Sequence, residues 1–147
     1  MDLLAVGNAN IDLMVFLQRL PGEDEKVEAE KFIMLTGGSA ANTAVATSRL
    51  GFKAGFIGRI GDDYFGHVFR ARLLDEGVDV SHVKVVRGVP TGVVVILVDG
   101  RGQKRMIGVP GANALLSPVD LDENYLSKTK IIHLAGVKPE VMEKALT

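Results

Sequence analysis

Two short stretches of this sequence carry residue types that suit a polar ligand. The first is Gly37-Gly38-Ser39-Ala40-Ala41-Asn42. Adjacent glycines let backbone approach a ligand with no Cβ in the way. The helix expected to follow directs its free N–H groups at the same place, which favours electronegative ligand atoms. Asn42, in the first turn, can aim an amide there. The same residues also fit an ordinary glycine turn with Ser39 as its N-cap. The second stretch is Asn8-Ala9-Asn10-Ile11-Asp12. Alternation in an extended segment puts Asn10 and Asp12 on one face. An amide and a carboxylate together make a fork for the neighbouring hydroxyls of a polyol. The alternative is a turn in which Asn8, Asn10 and Asp12 satisfy local backbone N–H groups.

The flanking patterns say what must position these residues. Leu3 to Gly7 reads as a buried strand ending in glycine, and open α/β sheets place ligands beyond the carboxyl ends of such strands. Leu13 to Leu17 is a second apolar run, Pro21-Gly22 a turn, and Lys26 to Glu30 alternates as a half-exposed strand. Ser39 to Leu50 has helical spacing with Gly51 just beyond it. Lys53 to Gly61 reads as another buried strand. Asp62-Asp63 then caps a helix whose apolar stripe is Phe65, Val68, Phe69, Leu73 and Leu74, with Gly77 as its stop. Strand, helix, strand, helix predicts a doubly wound α/β core. Thr91 to Val98 and Gln103 to Val109 flank the hairpin chemistry of Asp99-Gly100-Arg101-Gly102. With residues 12–35 they predict a small accessory sheet at one edge. Ile131 to Leu134 restores the core pattern, and Lys138 to Leu146 begins a helix. His133 ends a core strand, whereas His67 and His82 read as surface residues.

Composition bounds the possibilities. The chain has 147 residues, 47% of them hydrophobic, no cysteine and a net charge of -1. A disordered chain and a disulfide scaffold are both excluded. Balanced charge leaves no basic stripe for nucleic acid. The longest apolar run, Val93 to Val98, is far short of the ~20 residues that span a bilayer. With no targeting signal visible, a cytoplasmic protein with neither nucleic-acid nor membrane partners is expected.

Gly37, Gly38, Ala40, Asn42, Ala44, Gly51 and Gly61 together resemble the first signature of the ribokinase-like (PfkB) carbohydrate kinases. Gly7 to Asp12 resembles that family's N-terminal sugar-binding segment. Gly61 to Gly66, Thr91-Gly92-Val93 and Gly111 to Pro118 resemble further landmarks, so the resemblance covers essentially the whole chain. It implies a ribokinase-like α/β core with helices on its faces and a small β lid, the lid segments being about 12–35 and 91–109. It also implies that Asn10, Asp12, Gly38, Ser39 and Asn42 contact substrate hydroxyls, and that Val94, Ile96 and Val109 form the lid's apolar wall. The implied activity is magnesium- and ATP-dependent phosphoryl transfer to a hydroxyl of a sugar, sugar phosphate or nucleoside, in a homodimer paired through the lid sheet.

Two departures tell against ribose itself. Ser39 stands where ribose-specific members commonly carry lysine, and a carboxylate they place near Ala135 is absent. Arg105, with Arg101 and Lys104, offers a contact for a phosphate on the substrate, or else belongs to a solvated hairpin tip. The family's Gly-Ala-Gly-Asp segment, an anion hole with the catalytic base, does not occur in these residues. The expectation is therefore the N-terminal portion of a kinase domain over 1–147. It would hold the acceptor pocket and lid, have no catalytic residue of its own and be inactive alone. The ATP and magnesium sites would lie in a missing C-terminal half. The alternative is a non-catalytic carbohydrate-binding or dimerising module.

Overall fold

The computed structural model describes all residues from Met1 to Thr147. Strands β1 (Leu3–Gly7), β4 (Ala54–Gly61), β5 (Val83–Val86) and β8 (Ile131–Ala135) form a parallel sheet in the order β5-β4-β1-β8. Period-two alternation divides its side chains between two cores. Ala5, Ala54, Phe56 and Ile60 face helices α1 (Ser39–Arg49) and α2 (Tyr64–Asp75), where they pack with Ala40, Ala44, Phe69 and Leu73. Phe56 and Phe69 meet with ring centroids 5.6 Å apart. Leu4, Val6 and Ile57 face the other way, onto Leu116, Leu121 and Val141 of α4 (Pro139–Leu146). The short α3 (Glu123–Ser127) closes that side. Helices on both faces of a parallel sheet make the expected doubly wound core. The three buried alanines of α1, Ala40, Ala41 and Ala44, bring its backbone close to β1.

A second sheet has the order β3-β2-β6-β7, from β2 (Asn10–Phe16), β3 (Lys31–Gly37), β6 (Gly92–Val98) and β7 (Lys104–Val109). β2 runs parallel to β6 and antiparallel to β3, and β6 and β7 form the expected hairpin. This is the accessory sheet. The strand expected over Lys26 to Glu30 lies instead at Lys31–Gly37. The β2–β3 ladder ends at the Phe16–Lys31 pair, with Glu30 N donating to Phe16 O at 2.8 Å as its last bond, so 26–29 pairs with no strand. β5 is not legible in the sequence because its four residues hold no readable period. Leu74, counted in the apolar stripe of α2, is 52% exposed, because Leu73 already fills the buried position.

Asp63 does more than cap α2. Its carboxylate accepts from Gly66 N at 2.9 Å, from Thr91 N at 2.9 Å and from the buried Thr91 hydroxyl at 2.6 Å. The Thr91 oxygen in turn accepts from Gly61 N at 2.9 Å. This ties the end of β4 to the start of β6, so the lid strand is fixed to the core. No helix is long and apolar enough to cross a membrane.

Candidate functional site

Asn10 opens β2 three residues beyond the carboxyl end of β1 and pairs with Gly37 on one side and Gly92 on the other. Two positions on, Asp12 pairs with Leu35 and Val94. The register puts Asn10, Asp12, Val94 and Ile96 on one face of the lid, while Ile11 is buried on the other. The segment is therefore extended, and the turn alternative is excluded.

Bare backbone lies beside this fork. A Cβ at Gly37 would fall on the Asp12 carboxylate, so only glycine leaves room for it. Gly38 has φ 104 and ψ 124 and is itself the N-cap of α1. Ser39 is thus the first helical residue and not the cap. It is exposed, and its carbonyl accepts from the Thr43 hydroxyl at 2.9 Å. The first helical bond runs from Asn42 N to Gly38 O at 2.9 Å, leaving the preceding N–H groups outside the helical ladder. Asp12 and Asn42 line one cleft of about 830 Å³, together with Leu35, Thr36 and Val45. Burial pushes the Asp12 carboxyl above the usual carboxylate range.

Asn10 is held by a residue that sequence patterns alone give no role. Asn113 is buried in a tight turn spanning Gly111–Leu115. Its Oδ1 accepts from Ala9 N at 2.8 Å, and its Nδ2 donates to Ala9 O at 3.2 Å and to Asn10 Oδ1 at 2.7 Å. The Asn10 oxygen is thereby occupied, and its NH₂ group is left for a ligand. Gly92 makes room for the pair, since a Cβ there would strike both amides. The motif Gly111 to Pro118 is visible in sequence, but a contact across more than a hundred residues has no local pattern.

Asn10, Val94 and Val109 line a second cleft of about 460 Å³, with Asn8, Asn113, Gly136 and Lys138 among its other residues. Val109 pairs with Val93, so it points from the opposite lid face to Val94 and reaches the cleft only at the strand end. Ile96 sits beside Met14, farther out on the Asp12 face, and lines neither cleft. Arg105 is not brought to either cleft. It pairs with Leu97 in the ladder, and its guanidinium contacts Asp99 at 3.4 Å. His133 lies under α1, its Nε2 3.3 Å from the Thr43 hydroxyl. His82 stacks on Tyr125, with ring centroids 4.0 Å apart. No three acidic or histidine side chains converge to hold a metal ion.

The sequence model of the pfkB family carbohydrate kinases matches residues 1–147. The chain belongs to the pfkB family. Among curated members, the ATP-dependent ribose-1-phosphate kinase of Halopiger xanaduensis is 34% identical over 93% of the chain and 46% of its own length. The ribokinase of Arabidopsis thaliana is 35% identical over 92% of the chain and 35% of its own length. The structure of the Arabidopsis enzyme complexed with ribose and ATP superposes with a TM-score of 0.81, at 33% identity, covering 90% of this chain and 44% of that one. This pfkB chain thus spans about half or less of the length of these relatives.

The glycine pair of this pfkB chain is open to a direct test. Gly38→Ala places a Cβ against Asn8 O in a backbone conformation that L-residues rarely adopt. The expected loss is ~1–3 kcal/mol in chemical denaturation, with weaker binding of any ligand that reaches α1.

Proposed function

We propose that residues 1–147 form the acceptor-binding portion of a carbohydrate kinase, a core carrying a lid over 12–35 and 91–109. The observation that carries this reading is the Asn10–Asp12 fork standing beside Gly37-Gly38, with Asp12 and Asn42 in one cleft. In this proposal Asp12 accepts from two sugar hydroxyls and Asn10 donates through its NH₂ group. Asn42 and the first N–H groups of α1 receive the remaining oxygens, while Val94 covers the apolar ring face. Ile96 and Val109 extend the lid's apolar surface, and Ser39, the first residue of α1, contributes one of those N–H groups. These groups bind and orient the acceptor. Positioning and electrostatics supply most of the catalysis of phosphoryl transfer.

ATP, when bound, supplies the γ-phosphoryl group. No group of acidic or histidine side chains converges here that could hold magnesium. In this proposal the ATP and magnesium sites, with the base, belong to residues other than these. Residues 1–147 alone are accordingly expected to show no turnover. A homodimer through the lid is supported by Phe32, Met106 and Ile107, which are 61%, 66% and 59% exposed on its strands.

The test assays the intact protein containing this chain with ATP. Acceptors are pentoses, hexoses, their phosphates and nucleosides, with ADP release as the readout. ADP formation with at least one acceptor is expected. Failure with all of them, alongside measurable sugar binding, would favour the non-catalytic binding module instead.

A further inference from the structure

The polar side chains lining the 460 Å³ cleft are the amides of Asn8, Asn10 and Asn113 and the ammonium of Lys138. Among the cleft's eleven lining residues there is no aspartate or glutamate, and Lys138 is the only charged side chain. Lys138 Nζ donates to Ala114 O at 2.7 Å and makes no ion pair. An ammonium has three N–H donors, so two remain. The backbone contact also reduces the ordering cost that a free surface lysine meets when it binds a ligand.

Asn10 adds a second donor. Asn113 occupies its oxygen, so its NH₂ is the part left for a ligand. Asn8 adds a third. Its amide lies against Gly136, where an added Cβ would come within 2.9 Å of Nδ2, and it has no side-chain hydrogen bond within the protein. Gly136 has φ 68, so the turn after β8 both requires glycine and keeps this space open. A neutral hydroxyl would leave the Lys138 charge unbalanced, because no carboxylate lines the cleft. A tetrahedral oxyanion needs donors and positive charge only.

We propose that Lys138, Asn8 and Asn10 form a subsite for a phosphate group carried by the acceptor, so that the substrate is a sugar monophosphate and not a free sugar. This rests on the kinase reading above and narrows it. It also moves the phosphate contact from Arg105, which contacts Asp99, to Lys138, which lines the cleft. The phosphate end of the sugar would lie over Gly136, and the fork at Asp12 would grip the hydroxyls next to it.

The experiment uses the intact protein with ATP, comparing ribose 1-phosphate and fructose 1-phosphate with their parent sugars, with and without inorganic phosphate. A phosphorylated acceptor is expected to exceed its parent in kcat/KM by at least tenfold. Lys138→Met should shrink that ratio at least tenfold, and Lys138→Arg should largely restore it. Calorimetric titration of ribose 1-phosphate without ATP should show the same loss of affinity. If Lys138→Met is poorly folded by its melting curve, Asn8→Ala serves instead, with the same ratio as readout. A parent sugar turned over as well as its phosphate, or an equal loss on both from Lys138→Met, overturns the subsite. So does full activation of the parent sugar by inorganic phosphate, which would assign the site to the free ion. In those cases the kinase reading survives. Absence of ADP with every acceptor removes both.

Discussion

Asp12→Ala in the intact protein is expected to lower kcat/KM for the sugar acceptor about a hundredfold, while the KM for ATP stays close to the wild-type value. The proposed grip gives this carboxylate two hydrogen bonds, and bonds to charged groups contribute ~1.5–3 kcal/mol each, with incomplete additivity. The acceptor side should take the whole effect, because Asp12 shares its cleft with Asn42. An equal rise in both KM values would remove Asp12 from acceptor binding.

Stability should move in the opposite direction. Burial raises the Asp12 carboxyl pKa, so folding favours its protonated form. For such a group the stabilising contribution is present below the unfolded pKa and is lost as pH rises through the folded one. At neutral pH the ionised Asp12 therefore opposes folding, and Asp12→Asn should melt no lower than the parent. Acceptor KM should also climb on acidification, beginning above the pH at which an ordinary aspartate titrates. A variant that loses sugar affinity but not stability separates a binding carboxylate from a structural one.

The second large effect is on folding. Asp120→Ala is expected to destabilise the protein by ~3–5 kcal/mol, the range for breaking a buried ion pair, and to lower the melting temperature by on the order of 10 °C. The Asp120 side chain is fully buried. It accepts from Arg59 Nε at 2.8 Å, Arg59 Nη2 at 3.0 Å and Ser117 N at 2.9 Å, with Lys84 Nζ at 3.0 Å. Removing it strands the Arg59 guanidinium, which is only 18% exposed. It also frees the segment that carries Asn113, so the order of Asn10 should loosen with it. Arg59→Ala should cost a similar amount, and the double variant far less than the two combined.

Acid should act on the same network. Burial alone would raise the Asp120 carboxyl, but the bonds from Arg59, Ser117 and Lys84 outweigh it and hold the group below its ordinary value. Asp63 behaves likewise, since its bonds from Thr91 and Gly66 outweigh its burial. A depressed carboxylate stabilises the fold above its unfolded pKa, and that contribution is lost as pH falls through the folded one. Denaturant midpoints should accordingly drop steeply below about pH 4, and Asp120→Ala should flatten that drop.

Much of the architecture was legible because local rules carried it. The period of the apolar residues marks α1 and α2, and Asp63 and Gly77 bound α2 as a cap and a left-handed stop. The fork and the glycine pair were equally visible, since side-chain alternation and the absence of a Cβ are properties of a few consecutive residues. Lys26 to Glu30 shows the limit of such rules. Its alternation suits a strand, but a strand exists only where a neighbour supplies backbone partners, and β2 offers them to Lys31–Gly37.

The chain by itself determined an α/β core, a lid hairpin, and the identity of Asn10, Asp12, Gly38 and Asn42 as a candidate polyol-binding set. The tertiary structure alone decided three further points. It placed Asn10 between Gly37 and Gly92, it gave Asn113 the task of orienting that amide, and it brought Lys138 rather than Arg105 to the cleft. The physical reason is one of range. Helix caps, turns and alternation are fixed by neighbours within a few residues, whereas the direction of an amide or the surroundings of an ammonium is set by chain folded back from far along the sequence.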